Sequence, residues 1–423
     1  MVMLRPESEM KNSGIEWVGQ VPKNWKVVKN NRLFRISKTL VGEKWENTQL
    51  LSLTKGGIIE KDINDGGGKQ PESFSTYQFV QKDDIVLCLF DIDVSAVFSD
   101  RSLYDGMISP AYRVMKCSDN ILPEYAKWWF DAVNVGRYYL IYTKSLRKTI
   151  DSEGFGNILT AVPPLSEQHA IASYLDDRCS KLDEIIAEAE KSIEEYKELK
   201  QAVIDRYSMF GTNKDIEIKD TNFSWFPKMP SNWKLVRANR LFKEDVRPVQ
   251  EGDVSLSLSQ IDGLIPTDDM NERSLKSATH DNWKHVIPDD LVLNRFKGHL
   301  GVFFASKYEG MVSFHYGVYH AIREGVLSNY YEYLFHSTTY KSIFALMSNG
   351  ITVGLQNLSN SNFYSVKLLL PPIEEQIAIV KQLDERTSQI NTLISEKQSL
   401  IEDLKAYKKS LIYEVVTGKR RVV

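Results

Sequence analysis

The sequence predicts an α+β protein in which two pseudo-two-fold-related α/β globular domains are separated by two long antiparallel coiled-coil helices. Three observations predict it. The chain of 423 residues is longer than the roughly 100–200 residues that one core usually organises. It repeats itself at an offset of 208 residues, and self-similarity at a fixed offset sets the architecture before any side chain is given a role. Each copy then closes on a sustained apolar heptad pattern, which is the signature of a long helix with a packing seam.

The repeat is anchored at both ends of each copy. Pro22-Lys-Asn-Trp-Lys-Val-Val-Lys-Asn-Asn-Arg-Leu-Phe34 lies over Pro230-Ser-Asn-Trp-Lys-Leu-Val-Arg-Ala-Asn-Arg-Leu-Phe242 with nine of thirteen positions identical. Pro163-Pro-Leu-Ser-Glu-Gln168 lies over Pro371-Pro-Ile-Glu-Glu-Gln376, and the 24 residues from each first Pro agree at eleven positions. Between the anchors only islands align: Leu51-Ser-Leu53 with Leu256-Ser-Leu258, Asp83-Asp84 with Asp289-Asp290, and Gly106-Met107 with Gly310-Met311. The middles change while their frame persists.

In chain order the pattern divides into an N-terminal extension (1–21), a first globular domain (22–162), a first helical segment (163–211), a linker (212–229), a second globular domain (230–370), a second helical segment (371–418) and a basic tail (419–423). In the globular segments short β-rich runs such as Ile85-Val-Leu-Cys-Leu-Phe90, Leu291-Val-Leu-Asn294 and Gly301-Val-Phe-Phe304 alternate with turns and with aromatic helices. Those helices, Pro123–Phe130 and Asn329–Phe335, read as core rather than as base-stacking platforms. There is no clean βαβ alternation, which leaves α+β as the class.

After Pro163-Pro164 a helix is expected with Ser166 as N-cap and Glu167 in its first turn. Its seam runs Leu175, Cys179, Leu182, Ile186, Ala189, Ile193, Tyr196, Lys200, Val203, Tyr207 and stops at Gly211. The second seam runs Leu383, Thr387, Ile390, Ile394, Lys397, Ile401, Leu404, Lys408, Leu411, Val415 and stops at Gly418. Lys200 and Lys408 interrupt the seams at the same repeat position. Two similar apolar seams in equivalent places favour packing on each other, antiparallel, as a rod about 50 Å long at about 1.5 Å per residue. The acidic outer face, including Glu184, Glu188, Glu194 and Glu198, is the kind of charge run that solvent or a partner covers.

Composition bounds the function. With 53 Lys and Arg against 56 Asp and Glu, the formal charge is −3 and the pI about 6.2, so any basic footprint must be local. Residues 22–162 hold 19 basic and 17 acidic side chains, residues 230–370 hold 14 of each, and residues 163–229 hold 9 against 14. Three scattered cysteines give neither a disulfide framework nor zinc spacing. A reducing cytoplasm is the expected location, and a charged start with no run of 18 apolar residues argues against export and membrane spanning.

The residues that stand out for binding lie in polar, basic, Gly-containing loops: Lys55; Lys144, Arg147 and Lys148; Arg295, Lys297 and His299; and Asn349. Such side chains can enter a DNA groove, where Arg or Lys pairs with guanine and Asn with adenine. Catalytic motifs are missing. Gly66-Gly-Gly-Lys69-Gln70 lacks the first Gly and the hydroxyl of a phosphate-binding loop. The Pro-Pro pairs are not framed as a methyltransferase amine-binding site, no Ser sits in GxSxG, and Glu217-Ile-Lys219 offers a nuclease-like ExK only in the linker. The expectation is a non-catalytic binder with no metal and no cofactor of its own.

The doubled opening frame, the paired Pro-Pro-x-x-Glu-Gln, and the closing Lys408-Lys-Ser-Leu-Ile-Tyr-Glu-Val-Val-Thr-Gly418 resemble the specificity subunit of Type I restriction-modification enzymes. The likeness covers essentially the whole chain. It implies two target-recognition domains, each reading one half of a bipartite sequence in double-stranded DNA, and a helical spacer that fixes the gap. It also implies two methyltransferase subunits, which bring S-adenosylmethionine, and two restriction subunits, which bring ATP and Mg. Leu182, Ile186, Ile193, Ile390, Ile394, Ile401 and Leu404 map onto the spacer, whereas the base-reading residues lie in the variable middles. The rival from another class is a duplicated protein-interaction scaffold without a DNA role, which would lack the steep salt dependence of phosphate contacts.

Overall fold

The computed structural model describes residues 3–63, 73–95, 98–143, 147–213, 215–259, 263–270, 282–348 and 357–422, without the side chain of His299. Two compact units emerge: Met1–Ala189 with Ser399–Val423, and Glu190–Gln398. Each contains one globular lobe, half of the first long helix (Leu165–Phe210) and half of the second (Ile373–Val416).

In the first unit an antiparallel sheet runs in the order Phe34–Ser37, Arg113–Cys117, Ile85–Leu87, Ser99–Arg101. Alternate side chains leave opposite faces of a strand. Ile85, Leu87 and Met115 therefore join the main core with Tyr125, Trp129 and Phe130 of helix Pro123–Gly136. Val86 and Val114 turn to the other face, against Leu51, Ile58, Val80 and Ile108. Those come from a second sheet, in the order Gly57–Lys61, Leu50–Thr54, Gly106–Ile108, Gln78–Val80, whose one parallel pair joins Met107 to Leu50.

The second unit repeats this plan although its middle sequence has diverged. Phe242–Glu244, Tyr316–Ala321, Leu291–Asn294 and Phe303–Ala305 form its antiparallel sheet. Leu291, Leu293, Phe303 and Tyr319 face a core shared with Tyr330, Tyr331, Phe335, Tyr340 and Phe344. Val292 and Val318 face Leu256, Leu258, Leu264, Val286 and Val312. The aromatic helical segments of both units are core, as their sequence suggested.

The aligned islands mark positions that backbone geometry constrains. Asp83 and Asp289 take left-handed φ values of 72° and 70°, which the short polar Asp side chain tolerates better than most. The next residue, Asp84 or Asp290, is buried and accepts the N–H of Gln81 or Ile287, both at 2.9 Å. At Gly106 and Gly310 a Cβ would strike the carbonyl oxygens of Gln49 and Val254. Those carbonyls accept the N–H groups of Met107 and Met311 at 2.8 Å, so only Gly admits the crossing.

The Pro-Pro-x-x-Glu-Gln motif is a clamp. The Trp25 indole donates to Glu167 at 3.0 Å and the Trp233 indole to Glu375 at 2.9 Å. Gln168 accepts the N–H of Leu122 at 2.7 Å and donates to the carbonyls of Asn120 and Pro163, both at 2.9 Å. Gln376 does the same for Leu327, Gly325 and Pro371 at 3.0, 2.8 and 2.9 Å. Both amide ends are thus used, and each helix start is fastened to its lobe.

The first long helix begins at Leu165, one residue ahead of the expected cap: the Pro164 carbonyl accepts from Glu167 and Gln168, both at 2.9 Å, and Ser166 lies inside the first turn. Gly211 and Gly418, at φ 75° and 72°, follow the helix ends. In the first unit the helices run antiparallel, with the Tyr125 hydroxyl donating to Val416 at 3.2 Å, Leu122 held by Gln168, and Lys408 meeting Asp183 at 2.6 Å. In the second unit Tyr330 donates to Ser208 at 2.9 Å and Lys200 to Asn391 at 2.9 Å. Every seam position named from the sequence is buried or half-buried, including Leu182, Ile186, Ile193, Ile390, Ile394, Ile401 and Leu404.

The extension and the linker are counterparts. Met10–Asn12 pairs with Gln20–Pro22, and Ile218–Asp220 with Lys228–Pro230. Lys219, the cation of the ExK triplet, donates to the carbonyls of Ser231 and Trp233 at 2.6 and 2.9 Å. Lys11 does the same to Lys23 and Trp25 at 2.9 and 2.7 Å. Both lysines tie a hairpin to the Trp frame.

Candidate nucleic-acid interface

One edge of each lobe is built by the same two loops. In the first, the chain leaving Ile85–Leu87 runs beside the segment that precedes helix Ser152–Asn157: Asp91 and Ile92 donate to the carbonyls of Arg147 and Lys148 at 3.0 and 3.3 Å, and Ile150 donates to Leu89 at 2.9 Å. In the second, the turn Arg295–Leu300 leaves Leu291–Asn294, and Leu358 donates to Arg295 at 3.1 Å. The strands feeding both loops are pinned from either side by the sheet, so the edge is held by a rigid base while its sequence varies.

The basic residues singled out from the sequence fall largely on this edge. Arg147 and Lys148 are exposed, and the Arg147 Nε stands 3.7 Å from an Asp91 carboxylate oxygen. Lys148 takes a left-handed φ of 46°. Lys297 is exposed on the equivalent turn of the second lobe. His299 shares that turn, with its side chain outside the described residues. Lys144 and Asn349 lie outside the described residues. Lys55 stands apart, exposed on the tip between Leu50–Thr54 and Gly57–Lys61, where Asp100 accepts the Ile58 N–H at 2.9 Å.

Arg295 faces inward. Its guanidinium donates to Glu244 at 2.6 Å and to Asn360 at 2.9 Å. The buried Lys284 donates to the same Glu244 at 2.9 Å and to the Tyr316 carbonyl at 2.6 Å. Burial would raise the Glu244 carboxyl, but hydrogen bonds from Lys284 and Asn360, with the Lys284 and Arg295 charges, hold it below the ordinary range. The network braces the turn from beneath, so Arg295 supports the loop that presents Lys297.

Sequence reasoning passed over the aromatic rings of this edge. Phe296 is 40 % and Phe314 50 % exposed, and both pack on His315, at ring-centre distances of 5.2 and 3.8 Å. In the first lobe Phe90 stacks on Tyr112 at 6.1 Å. A Phe set between Arg295 and Lys297 was the available signal, since nucleic-acid surfaces interleave rings with cations. Among the described residues no cluster of His, Cys, Asp and Glu is arranged to hold a metal, and no helix is long and apolar enough to cross a membrane.

Comparison with known proteins bears on what such an edge serves. Residues 260–403 match the family described as Type I restriction modification DNA specificity domain. A solved chain from work on complex assembly and conformational transition of the type I R-M system is similar over 94 % of this chain and 99 % of its own length, with 13 % identity and a TM-score of 0.68. The HsdS subunit from Thermoanaerobacter tengcongensis is similar over 94 % and 98 %, with 13 % identity and a TM-score of 0.52. Residues 260–403 thus match the specificity-domain family, and the chain as a whole, with its doubled frame, shares the fold of these two solved type I R-M chains.

Proposed function

We propose that each lobe reads one half of a bipartite DNA target through its variable edge, that the long helices fix the gap between the half-sites, and that catalysis belongs to partner subunits. The observation that carries this reading is a structural plan kept twice, down to the Trp–Glu and Gln clamps, bearing loops that differ in sequence. A frame conserved inside one chain with divergent edges is what two readers of different half-sites require. Lys55, Lys144, Arg147 and Lys148 serve the first half-site; Lys297, His299 and Asn349 serve the second, with Arg295 as their brace. Two methyltransferase subunits bring S-adenosylmethionine, two restriction subunits bring ATP and Mg, and the methyltransferases supply phosphate contacts that the near-neutral lobes lack. Co-expression with the methyltransferase of its own system, followed by genome-wide mapping of methylated bases, tests the reading. Two short specific blocks at a constant gap are expected; a single undivided block, or methylation that does not depend on this chain, would contradict it.

A further inference from the structure

A cleft of about 970 Å³ opens in the second unit between the long helices and the lobe. Its lining gathers Lys197, Lys200, Lys307 and Lys341 against one carboxylate, Glu332. These residues come from the first long helix, the loop after Phe303–Ala305, and helices Ser328–Phe335 and Thr338–Met347. No stretch of sequence shows them together.

The inner ammoniums have neutral partners. Lys200 donates to the amide oxygen of Asn391 at 2.9 Å and Lys341 to that of Gln201 at 3.0 Å. An ammonium carries three donors, so both retain capacity for an anion. Asp205, the carboxylate that Lys341 senses, is engaged with the N–H and hydroxyl of Thr338, both at 2.8 Å. Burial holds the Lys200 and Lys341 ammoniums below their ordinary range. Burial also pushes Glu332 up to about 7, although it accepts the Ala305 N–H at 2.8 Å. Burial and the charges of Lys341 and Lys200 push His336 down to about 3, so its ring is neutral. Lys197 is paired with Glu194 at 2.8 Å, so the positive excess of the cleft rests on Lys200, Lys341 and Lys307.

The first unit supplies an internal control. Its counterpart groove lies beside Trp128, whose indole donates to Asp176 at 2.8 Å, just as Tyr333 donates to Asp384 at 2.6 Å. That groove, about 480 Å³, is lined by Asp176, Asp183 and Glu184, and Lys408, the counterpart of Lys200, is paired with Asp183 at 2.6 Å. The shared frame therefore keeps the lysine at this position, and what differs is its partner, a carboxylate in the first unit and the Asn391 amide in the second.

We propose that the cleft of the second unit binds a phosphate-bearing ligand, with its phosphates on Lys200 and Lys341, Lys307 and Lys197 at the mouth, and its body against Phe304 and Tyr308. A free nucleotide and a DNA backbone phosphate share this chemistry. The volume suits a nucleotide, since small-molecule sites span roughly 300–1,000 Å³. The inference stands apart from the proposed function except in its DNA source.

Calorimetric titration of the full chain with inorganic pyrophosphate, ADP and a 20-base-pair duplex tests it. Pyrophosphate is expected to bind the wild type, at least tenfold more weakly to the K200Q/K341Q double variant, and several-fold more weakly to K307Q, whose exposed position spares the fold. Asp183→Ala, in the counterpart groove, should leave binding unchanged. If the natural source is a nucleotide, ADP binds more tightly than pyrophosphate and duplex binding is the same in wild type and double variant. If it is DNA, pyrophosphate displaces the duplex and the double variant lowers the salt slope by about 1–2, at roughly 0.9 per phosphate. Equal pyrophosphate titrations for wild type, K307Q and the double variant, with no change in salt slope, would overturn the proposal. A chain that binds pyrophosphate but reads no DNA sinks the proposed function and leaves this site standing.

Discussion

The Lys408 ammonium lies 2.6 and 2.7 Å from the two carboxylate oxygens of Asp183, across the helix pair of the first unit. At the equivalent repeat positions of the second unit Lys200 meets Asn391 at 2.9 Å. The lysines that break both apolar seams are therefore cross-helix contacts, placed where a polar seam residue can select one register over its neighbours. Asp183 is 60 % and Lys408 26 % exposed at the side chain, so solvent screens the pair. A double-mutant cycle of K408A and D183A should give a coupling of about 0.2–1 kcal/mol, shrinking at 1 M salt. A coupling that salt leaves untouched would deny the ion pair.

The Trp–Glu clamp should carry more weight because its donor is buried. Trp233 is fully buried, and Glu375 accepts its indole N–H. Glu375→Ala leaves that donor unpaired and should cost about 1–3 kcal/mol in urea unfolding. Glu375→Gln, which keeps an acceptor, should cost less, and Glu374→Ala, at the exposed neighbouring position, should cost little. Equal losses at 374 and 375 would remove the clamp from the account.

Arg295 and Lys297 should separate in their effects. Arg295→Ala strips Glu244 of one of its cations and should lower unfolding stability by about 1–3 kcal/mol. Lys297→Ala, exposed at the same turn, should leave stability unchanged and weaken duplex binding. An unchanged melting temperature for Arg295→Ala would make it a reader rather than a brace.

Two groups of the second unit give opposite pH dependences. His336 titrates near 3 when folded against an ordinary 6.5. The unfolded chain thus binds more protons between those values, and stability present above about 6.5 is lost as pH falls. Glu332 titrates near 7 against an ordinary 4.5. The folded chain then binds more protons in that window, and stability present below about 4.5 is lost as pH rises through 7. Urea midpoints measured from pH 4.5 to 8 should show that His336→Asn flattens the acid-side loss and Glu332→Gln the loss toward pH 8. The same pH profile in wild type and both variants would contradict these environments.

The legible parts were those that local pattern or repetition encodes. Ile186, Ile193, Ile390 and Ile401 declared themselves by heptad spacing, and Asp83, Asp289, Gly106 and Gly310 by surviving in a diverged middle for reasons of turn and crossing geometry. The Lys408 interruption was visible, but its partner stands 225 residues away, and no local pattern reports such a contact. Glu167 was seen as a helix-start residue, yet its task for Trp25 depends on tertiary approach. Ser166 was read as a cap because hydroxyls favour that place; the Pro164 carbonyl already accepts the first helical N–H groups. The four-lysine cleft had no sequence signal, since its members meet only after the helices pack on the lobe.

The most direct measurement concerns modularity. Residues 22–162 should be exchanged for the matching segment of a similar chain with a different target, the hybrid co-expressed with the methyltransferase proposed as its partner, and methylated sites mapped across a genome. The account predicts that one half of the recognised sequence changes while the other half and the gap stay as they were. Change in both halves, or in neither, would contradict it.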